Sequence, residues 1–428
     1  MSSIDESRMD LEDGRVLSDQ ERFDWLRLLR CDNIGPKTFA FLLNRHGSAA
    51  AAIEALPSLI ANAKAGRPIR LATVEETEQE AEAMEKAGAR FIALPEPDYP
   101  ALQRLTPFAP PLIAVRGKIE SLKRSKVAIV GARNASAAGL AFSAEIARGI
   151  ARAGYVIVSG LARGIDARAH QATIETGTIC VLAGGLGNVY PVEHAALLER
   201  ILEQGAAISE MPFGWEARGR DFPRRNRIVA GLCRAVIVVE AARRSGSLIT
   251  ARFAADAGRE IFAVPGSPLD PRAEGTNDLL REGATICTRS EDVTHALAEL
   301  NMSHLKPGGF AEIISGTEPL WDELEFGVEE HLPRIENSQE QRPARILFNS
   351  MPLPMTAERS NNIERHLIEL LSSTPIAIDE LARLAAIPTR EIRTVLLDLK
   401  LAGKIDWHSG DLVTARPQTL PQMGSGDD

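Results

Sequence analysis

The stretch from Lys126 to Ser136 constrains this chain more than any other. Val127–Val130 is a short apolar run rich in β-branched residues, which is typical of a buried parallel strand, and Gly131 ends it. Ser136 is a favourable N-cap for the alanine-rich helix that follows. A strand, a tight turn and a helix N-terminus together favour anions, because unpaired backbone N–H groups point at the turn. The sequence therefore predicts a phosphate site at this turn.

The turn departs twice from the G-x-G-x-x-G fingerprint of dinucleotide-binding folds. Arg133 stands where the second glycine lets a pyrophosphate approach the backbone, and Ser136 stands where the third glycine would be. A guanidinium fork suits an isolated phosphate. The sequence thus predicts no nicotinamide, flavin or other cofactor. The alternative is a structural turn with Arg133 in solvent.

Composition excludes several classes of protein. No uninterrupted apolar run is long enough to span a bilayer, so no membrane partner is expected. The four cysteines lie far apart without a C-x-x-C pair, which favours neither a zinc site nor a disulfide framework, and no metal is predicted. A reducing, cytoplasmic location fits best.

The net charge of −9 hides an uneven distribution. Between Ser121 and Ser290, 22 lysines and arginines stand against 16 aspartates and glutamates, so this part carries +6 and the remainder −15. After Lys126 every cation in this part is arginine, the better residue for forked phosphate contacts and for stacking on bases. The distribution favours a nucleic-acid partner, and a salt-bridged surface is the alternative.

Composition and periodicity divide the chain into six segments. We predict a disordered start (1–17), a helical domain resembling SAM or helix-hairpin-helix modules (18–88), an extended Rossmann-like domain (89–302), an acidic linker (303–360), a winged-helix domain (361–416) and a disordered tail (417–428). The segment 33–37 resembles a helix-hairpin-helix turn, and DNA contact or protein contact are both open for it. The same alternatives hold for the winged-helix domain, whose third helix has mixed charge, and in both cases a structural or protein-contact role is favoured over DNA contact.

Strands and helices alternate with short links through the central segment, the pattern of a doubly wound parallel sheet. Ligands of such sheets bind outside the carboxyl ends of the strands. The distinctive polar residues do follow predicted strands, and we expect them to converge on one rim that binds phosphates. Besides the first turn they are Ser159, Gly160, Arg163, Ser245, Gly246, Ser247, Thr250, Gly275, Thr276 and Asn277.

The run Phe222–Arg227 closes a long predicted loop and gives the sharpest signal. It places Arg224, Arg225, Asn226 and Arg227 beside an aromatic ring. Arginines that hold the backbone and a ring that stacks on a base match a groove for single-stranded nucleic acid. Glu240, at a predicted strand end, is the carboxylate to examine for hydrolysis or metal binding, although a lone carboxylate among arginines more often organises ion pairs.

With these motifs assembled, the chain closely resembles the DNA-processing protein A family (DprA, also called Smf). The matching segments are Gly131-Ala132-Arg133, 159–166, 184–191, Phe222–Arg227, 245–250 and Gly275-Thr276-Asn277. Both flanking domains fit variants of the family.

The resemblance implies an extended Rossmann-like domain that binds single-stranded DNA, forms homodimers and loads RecA recombinase onto incoming DNA in natural transformation. It implies no catalytic activity. Basic residues of two motifs line the DNA pocket in the family, and here they are Arg133, Arg224, Arg225 and Arg227. Ala132 replaces a common serine, which matters little if the backbone N–H binds.

The alternative is an enzyme, a nucleotide phosphoribohydrolase similar to the lysine-decarboxylase-like (LOG) proteins on the same fold. Those carry P-G-G-x-G-T-x-x-E. Here Pro265-Gly-Ser-Pro268 is separated from Gly275-Thr-Asn-Asp278, and the glutamate is missing. The missing glutamate weighs against hydrolysis.

Overall fold

The computed structural model describes residues 14–62, 70–299, 357–372, 374–408 and 411–416. Most of the predicted linker, most of the predicted disordered start and the predicted tail beyond Arg416 lie outside these ranges. The described chain is a mixed α/β structure whose central sheet is mostly parallel.

Four helices form the N-terminal part. They are α1 (Asp19–Leu29), α2 (Pro36–His46), α3 (Ala49–Asn62) and α4 (Val74–Lys86). Ser18 and Glu21 form a capping box at α1, which confirms the predicted capped helix, and Thr73 and Glu76 repeat the motif at α4. The backbone of Asn33 is left-handed, at φ 62°, where the chain turns between α1 and α2.

Nine strands form the central sheet in the order β1-β2-β6-β5-β4-β3-β7-β8-β9. They are β1 (Ala89–Ala93), β2 (Leu112–Gly117), β3 (Lys126–Val130), β4 (Val156–Ser159), β5 (Thr178–Val181), β6 (Ala206–Ser209), β7 (Ala235–Val238), β8 (Glu260–Ala263) and β9 (Thr285–Ile286). Strands β3 to β9 are parallel, while β1 and β2 form an antiparallel edge. The chain reverses its direction of winding between β3 and β7, which is where such sheets bind ligands.

Helices cover both faces of this sheet. They are α5 (Ala101–Arg104), α6 (Glu120–Lys123), α7 (Ala137–Arg152), α8 (Ile165–Ala172), α9 (Ala195–Gln204), α10 (Asp221–Gly231), α11 (Gly246–Asp256), α12 (Glu274–Arg281) and α13 (Ser290–Glu299). Alternate residues of β3 pack against the helices on opposite faces of the sheet. Val127 and Ile129 pack with α7, α8 and α13, whereas Ala128 and Val130 belong to the core that α10 and α11 complete.

A smaller domain follows the undescribed segment. It consists of α14 (Ala357–Leu370), β10 (Ile376–Ala377), α15 (Ile378–Ala385), α16 (Thr389–Leu401), β11 (Ile405–His408) and β12 (Leu412–Ala415). Its three-stranded sheet has the order β10-β12-β11. Three helices and this sheet are the predicted winged-helix plan. The sequence also predicts a hairpin turn at Ser409-Gly410, which lies outside the described residues.

The winged-helix domain is docked on the central domain at the carboxyl end of the sheet. Ala137, the first residue of α7, is fully buried in the apolar cluster of the winged-helix domain, and Leu140 packs beside it. Arg272 donates hydrogen bonds to the carbonyl oxygens of Glu369 (3.1 Å) and Leu371 (2.9 Å). Carbonyls at a helix C-terminus lack partners within the helix and attract cations. Arg272 therefore caps α14 from the neighbouring domain.

Candidate nucleic-acid interface

Arg133 is exposed in the turn that follows β3, at the point where the winding of the sheet reverses. Its guanidinium carbon lies 4.9 Å from the centroid of the Phe222 ring. Phe222 in turn meets Tyr190 edge to face, with ring centroids 5.5 Å apart. We call Tyr190 and Phe222 the aromatic platform. The structure thus joins the turn after β3 to residues that follow β5 and β6, and it forms one cationic and aromatic surface.

An internal carboxylate fills the N-terminus of α7. Ser136 donates to Glu240 from its backbone N–H (2.9 Å) and from its hydroxyl (2.5 Å), and its hydroxyl accepts from Gly139 N–H (2.9 Å). Burial raises the pKa of Glu240, and the hydrogen bonds from Ser136 oppose that rise. The prediction that Ser136 binds phosphate is corrected, because Ser136 is buried and Glu240 already occupies the anion position.

Glu240→Ala is expected to lower the free energy of unfolding by about 1–3 kcal/mol, because the buried N–H and hydroxyl of Ser136 would lose their acceptor. Urea denaturation followed by circular dichroism measures the change. Glu274→Ala is the control, since that carboxylate is 40% exposed and lies 3.8 Å from its cation Arg243. Equal effects of the two substitutions would contradict the role assigned to Glu240.

The run Phe222–Arg227 belongs to a helix, whereas the sequence analysis placed most of it in a loop. Helix α10 begins at Asp221, which accepts from the Trp215 indole (2.9 Å) and from Arg218 N–H (2.9 Å). Pro223 in the first turn suits a helix start, because its missing N–H is not needed there. Tertiary packing around this first part of the helix buries Arg225 and Arg227 and leaves Phe222, Arg224 and Asn226 partly exposed.

Arg225 faces the interior. Its guanidinium donates to the carbonyl oxygens of Gly160 and Val181, the latter at 2.6 Å, and Asp166 supplies the opposing charge. Burial lowers the pKa of Arg225 to about 10. A side chain at position 160 would collide with this guanidinium, so the glycine there makes room for Arg225. The prediction that Arg225 lines the pocket is corrected, because the side chain is buried and bonded to internal carbonyl acceptors.

Arg227 is the largest fully buried side chain of the described residues. It pairs with Glu210 and donates to the carbonyl oxygen of Phe108. The carbonyl of Glu210 accepts from Arg30, the C-cap residue of α1, at 3.4 Å. Arg227 therefore joins α10 to the loop after β6 and, through Glu210, to the N-terminal helices. The prediction that it lines the DNA pocket is corrected for the same reason as for Arg225.

Several other predicted site residues hold the rim together from inside. Ser159 donates to Ile129 O (2.6 Å), and Gly160 N–H donates to Asp166 (3.0 Å). Asn277 bonds both backbone groups of Gly266. The predicted residues that are buried in this structure are Ser136, Ser159, Gly160, Arg225, Arg227, Ser247, Thr250, Gly275 and Thr276. Apart from Ser136, Arg225 and Arg227, they stay predictions as phosphate contacts.

The remaining predicted residues reach the surface wholly or in part. Arg163 is exposed and pairs with Glu193 at 2.5 Å, while Asn226 donates to the carbonyl of Gly246 at 3.1 Å. Gly131 accommodates Ile165, which lies 2.7 Å from where a side-chain carbon would stand. The accessible predicted residues are Gly131, Ala132, Arg133, Arg163, Phe222, Arg224, Asn226, Ser245, Gly246 and Asn277.

The sequence analysis missed two residues of this surface. Tyr190 is 44% exposed at the end of the glycine-rich loop after β5. Arg244 is exposed after β7 and faces the winged-helix domain across a cleft. Their position in the loops that follow predicted strands was the available signal, and only the packing of neighbouring loops shows which polar residues remain at the surface.

Within the described ranges, no three His, Cys, Asp or Glu side chains form a group that could hold a metal ion. Among the residues that the structure describes, no helix has both the length and the apolar character needed to cross a membrane.

Three family models match this chain in succession. The model described as DNA recombination-mediator protein A matches residues 90–298. The DprA-like N-terminal HHH domain matches residues 19–83, and the DprA winged helix domain matches residues 351–411. The matches follow the three parts of the fold.

Individual relatives agree with the family models. Protein Smf of Escherichia coli K12 is 33% identical over 336 residues, which are 78% of this chain and 79% of the relative. DNA processing protein DprA of Bacillus subtilis is 38% identical over a stretch that covers 53% of this chain and 77% of that relative. The X-ray structure of DprA from Streptococcus pneumoniae is similar with a TM-score of 0.55 and 32% identity, over 67% of this chain and 99% of that one.

Proposed function

Because this chain belongs to the DNA recombination-mediator protein A family, which includes the proteins named Smf and DprA, we propose that it binds single-stranded DNA along the sheet rim. The observation that carries the proposal is the exposed Arg133 beside the aromatic platform, at the point where the sheet changes its winding. Arginine holds backbone phosphates while exposed rings stack on bases.

The geometry favours single strands over duplex DNA. Tyr190 is 44% exposed and offers a ring on which an unstacked base can lie, and the partly buried Phe222 supports it from beside, with Arg133 over its own ring. In a duplex the base faces are buried by stacking. Glu240 occupies the anion position at the N-terminus of α7. The exposed arginines therefore supply the electrostatic attraction for DNA.

We extend the proposal to recombination in natural transformation. The description of the matched family as recombination mediators, and the DNA-processing names of its relatives, support a role in protecting incoming DNA and loading RecA onto it. We further propose a homodimer in the cytoplasm, since two rims in one particle would favour continuous coating of a strand.

The proposed activity is binding and contains no catalytic step. Glu240 is the carboxylate that a hydrolase on this rim would need, but both of its oxygens accept hydrogen bonds from Ser136. Incubation with AMP distinguishes the two classes. We expect no release of free adenine, and its release would favour the phosphoribohydrolase alternative.

Salt titration tests the proposed function. Fluorescence anisotropy of a labelled oligo-dT of about 20 nucleotides is followed from about 50 to 200 mM salt, and a duplex of equal length is the competitor. We expect affinity to fall steeply with salt, by a slope of about −0.7 for each phosphate contact on a single strand. Equal affinity for the duplex, or binding without salt dependence, would contradict the proposal.

A further inference from the structure

An open cleft of about 570 Å³ separates the rim from the docked winged-helix domain. Arg133, Asn134 and Arg244 line it from the central domain, and Ile368 and Glu369 line it from α14. Arg133 belongs both to this cleft and to the contact with Phe222. Arg133 therefore links the cleft to the aromatic platform.

The cleft contains arginines whose charge is not neutralised by an ion pair with any residue that the structure describes. Arg244 is exposed and makes no hydrogen bond or ion pair with any residue that the structure describes. Arg243, one position earlier, instead pairs with Asp278 (3.2 Å) and lies 3.8 Å from Glu274. The acidic Asp270 is neutralised by Arg272, with Nε 3.1 Å from Oδ1. Of the remaining charges, Arg133 and Arg244 outnumber the exposed carboxylate of Glu369, so the cleft keeps a net positive charge that attracts an external anion.

We propose that this cleft is a phosphate subsite for single-stranded DNA, in which the backbone leaving the aromatic platform runs between Arg244 and α14. The inference rests on the proposed function and adds the winged-helix domain to the site. Guanidinium groups suit isolated backbone phosphates, and a wall that excludes water strengthens their attraction. In this proposal α14 of the winged-helix domain forms the far wall of the cleft. The third helix of that domain, which enters a major groove in DNA-reading winged-helix proteins, does not contact the strand.

The docked arrangement gives the wall a fixed position. Arg272 caps α14 through the carbonyls of Glu369 and Leu371, and it is held in turn by Asp270. Ile368, on the same turn of α14, is 38% exposed and faces the cleft. A strand in the cleft would contact both domains at once, so bound DNA would favour the docked state.

The first test compares Arg244→Ala with Arg243→Ala, a matched control that removes the same charge one residue away. For an oligo-dT of about 20 nucleotides, we expect Arg244→Ala to lower affinity about tenfold, the effect of one charged hydrogen bond. For an oligomer of about four nucleotides, which covers the platform alone, we expect less than about a twofold change. Arg243→Ala is expected to leave both affinities unchanged.

The second test changes only the wall. Ile368→Asp adds a negative charge to the cleft from α14, and Leu397→Asp adds one to an exposed position of α16 that does not line the cleft. Because both leucine-sized side chains are exposed, at 38% and 52%, both variants are expected to fold, which thermal melting verifies. We expect only Ile368→Asp to weaken binding of the longer oligomer, by about threefold or more.

The outcomes separate this inference from the proposed function. If Arg133→Ala weakens binding while Arg244→Ala and Ile368→Asp match their controls, the cleft subsite is wrong and the rim site stands. If Arg133→Ala also has no effect, both the cleft subsite and the rim site of the proposed function are wrong. Loss of affinity for the longer oligomer alone, in both cleft variants, supports the subsite.

Discussion

Arg133→Ala is expected to weaken binding of single-stranded DNA by about 10- to 100-fold, the equivalent of one to two charged hydrogen bonds. The guanidinium is exposed and lies 4.9 Å from the Phe222 ring, so its removal takes away a phosphate contact and a support for the platform. The free energy of unfolding should change by less than about 0.5 kcal/mol, because exposed side chains contribute little to it. Anisotropy titration and urea denaturation measure the two quantities.

Arg116→Ala is the matched control for Arg133→Ala. Arg116 lies opposite Ala207 near the amino end of β6, at the edge of the sheet away from the rim, and it pairs with Glu199 at 3.0 Å. We expect DNA affinity to remain within about twofold of the unmodified protein, since only long-range charge is lost. A loss as large as that of Arg133→Ala would show that net charge, and no particular site, controls binding.

Arg227→Ala is expected to destabilise the protein by about 3–5 kcal/mol, the largest effect on stability that we predict for a single residue. The arginine side chain is 1% exposed and that of its partner Glu210 is 22% exposed. The substitution leaves Glu210 without its cation, leaves the carbonyl of Phe108 without its donor, and opens a cavity beside α10. Urea denaturation followed by circular dichroism gives the free energy directly.

Arg281→Ala controls for the loss of an arginine as such. Its side chain is 68% exposed and pairs with Asp278 three residues earlier, so the expected cost is below about 1 kcal/mol. DNA affinity supplies a second readout at conditions where Arg227→Ala is still folded. We expect it to fall only modestly, because Arg227 points away from the surface. A variant that kept full stability but lost DNA binding would reverse our assignment of Arg227 to the interior.

Much of the fold could be predicted from sequence because local signals agreed with the tertiary structure. The β-branched run Val127–Val130 forms the central strand, and Ser136 caps α7 as its residue type indicates. Glycine and proline punctuation separated the other strands to within one or two residues. The convergence of the turns on one rim also followed, since parallel strands bring their carboxyl ends to one edge.

The fate of individual polar side chains could not be predicted in the same way. Arg225 and Arg227 belong to a basic run that reads as a surface loop, yet the helix that begins at Asp221 turns both inward. Their acceptors are Glu210 and backbone carbonyls of Phe108, Gly160 and Val181, which are distant in sequence. Burial of an arginine depends on such partners, and composition does not reveal them.

The group that occupies the N-terminus of α7 could not be predicted for the same reason. A turn followed by a helix predicts an anion, and an anion is indeed present, but it is the carboxylate of Glu240 from the neighbouring strand end. The sequence analysis regarded Glu240 as an ion-pair organiser or a catalytic group. Docking of the winged-helix domain on α7 was equally invisible, because it depends on the fit of Ala137 and Leu140 into another domain.

Photo-cross-linking of a short oligo-dT to the full chain, followed by mass spectrometry of the peptides, tests the central claim most directly. If single-stranded DNA lies on the rim, the cross-linked peptides contain Tyr190 and Phe222, and Arg133→Ala reduces their yield. Cross-links confined to α16 of the winged-helix domain, or to residues 33–37 between α1 and α2, would contradict the account.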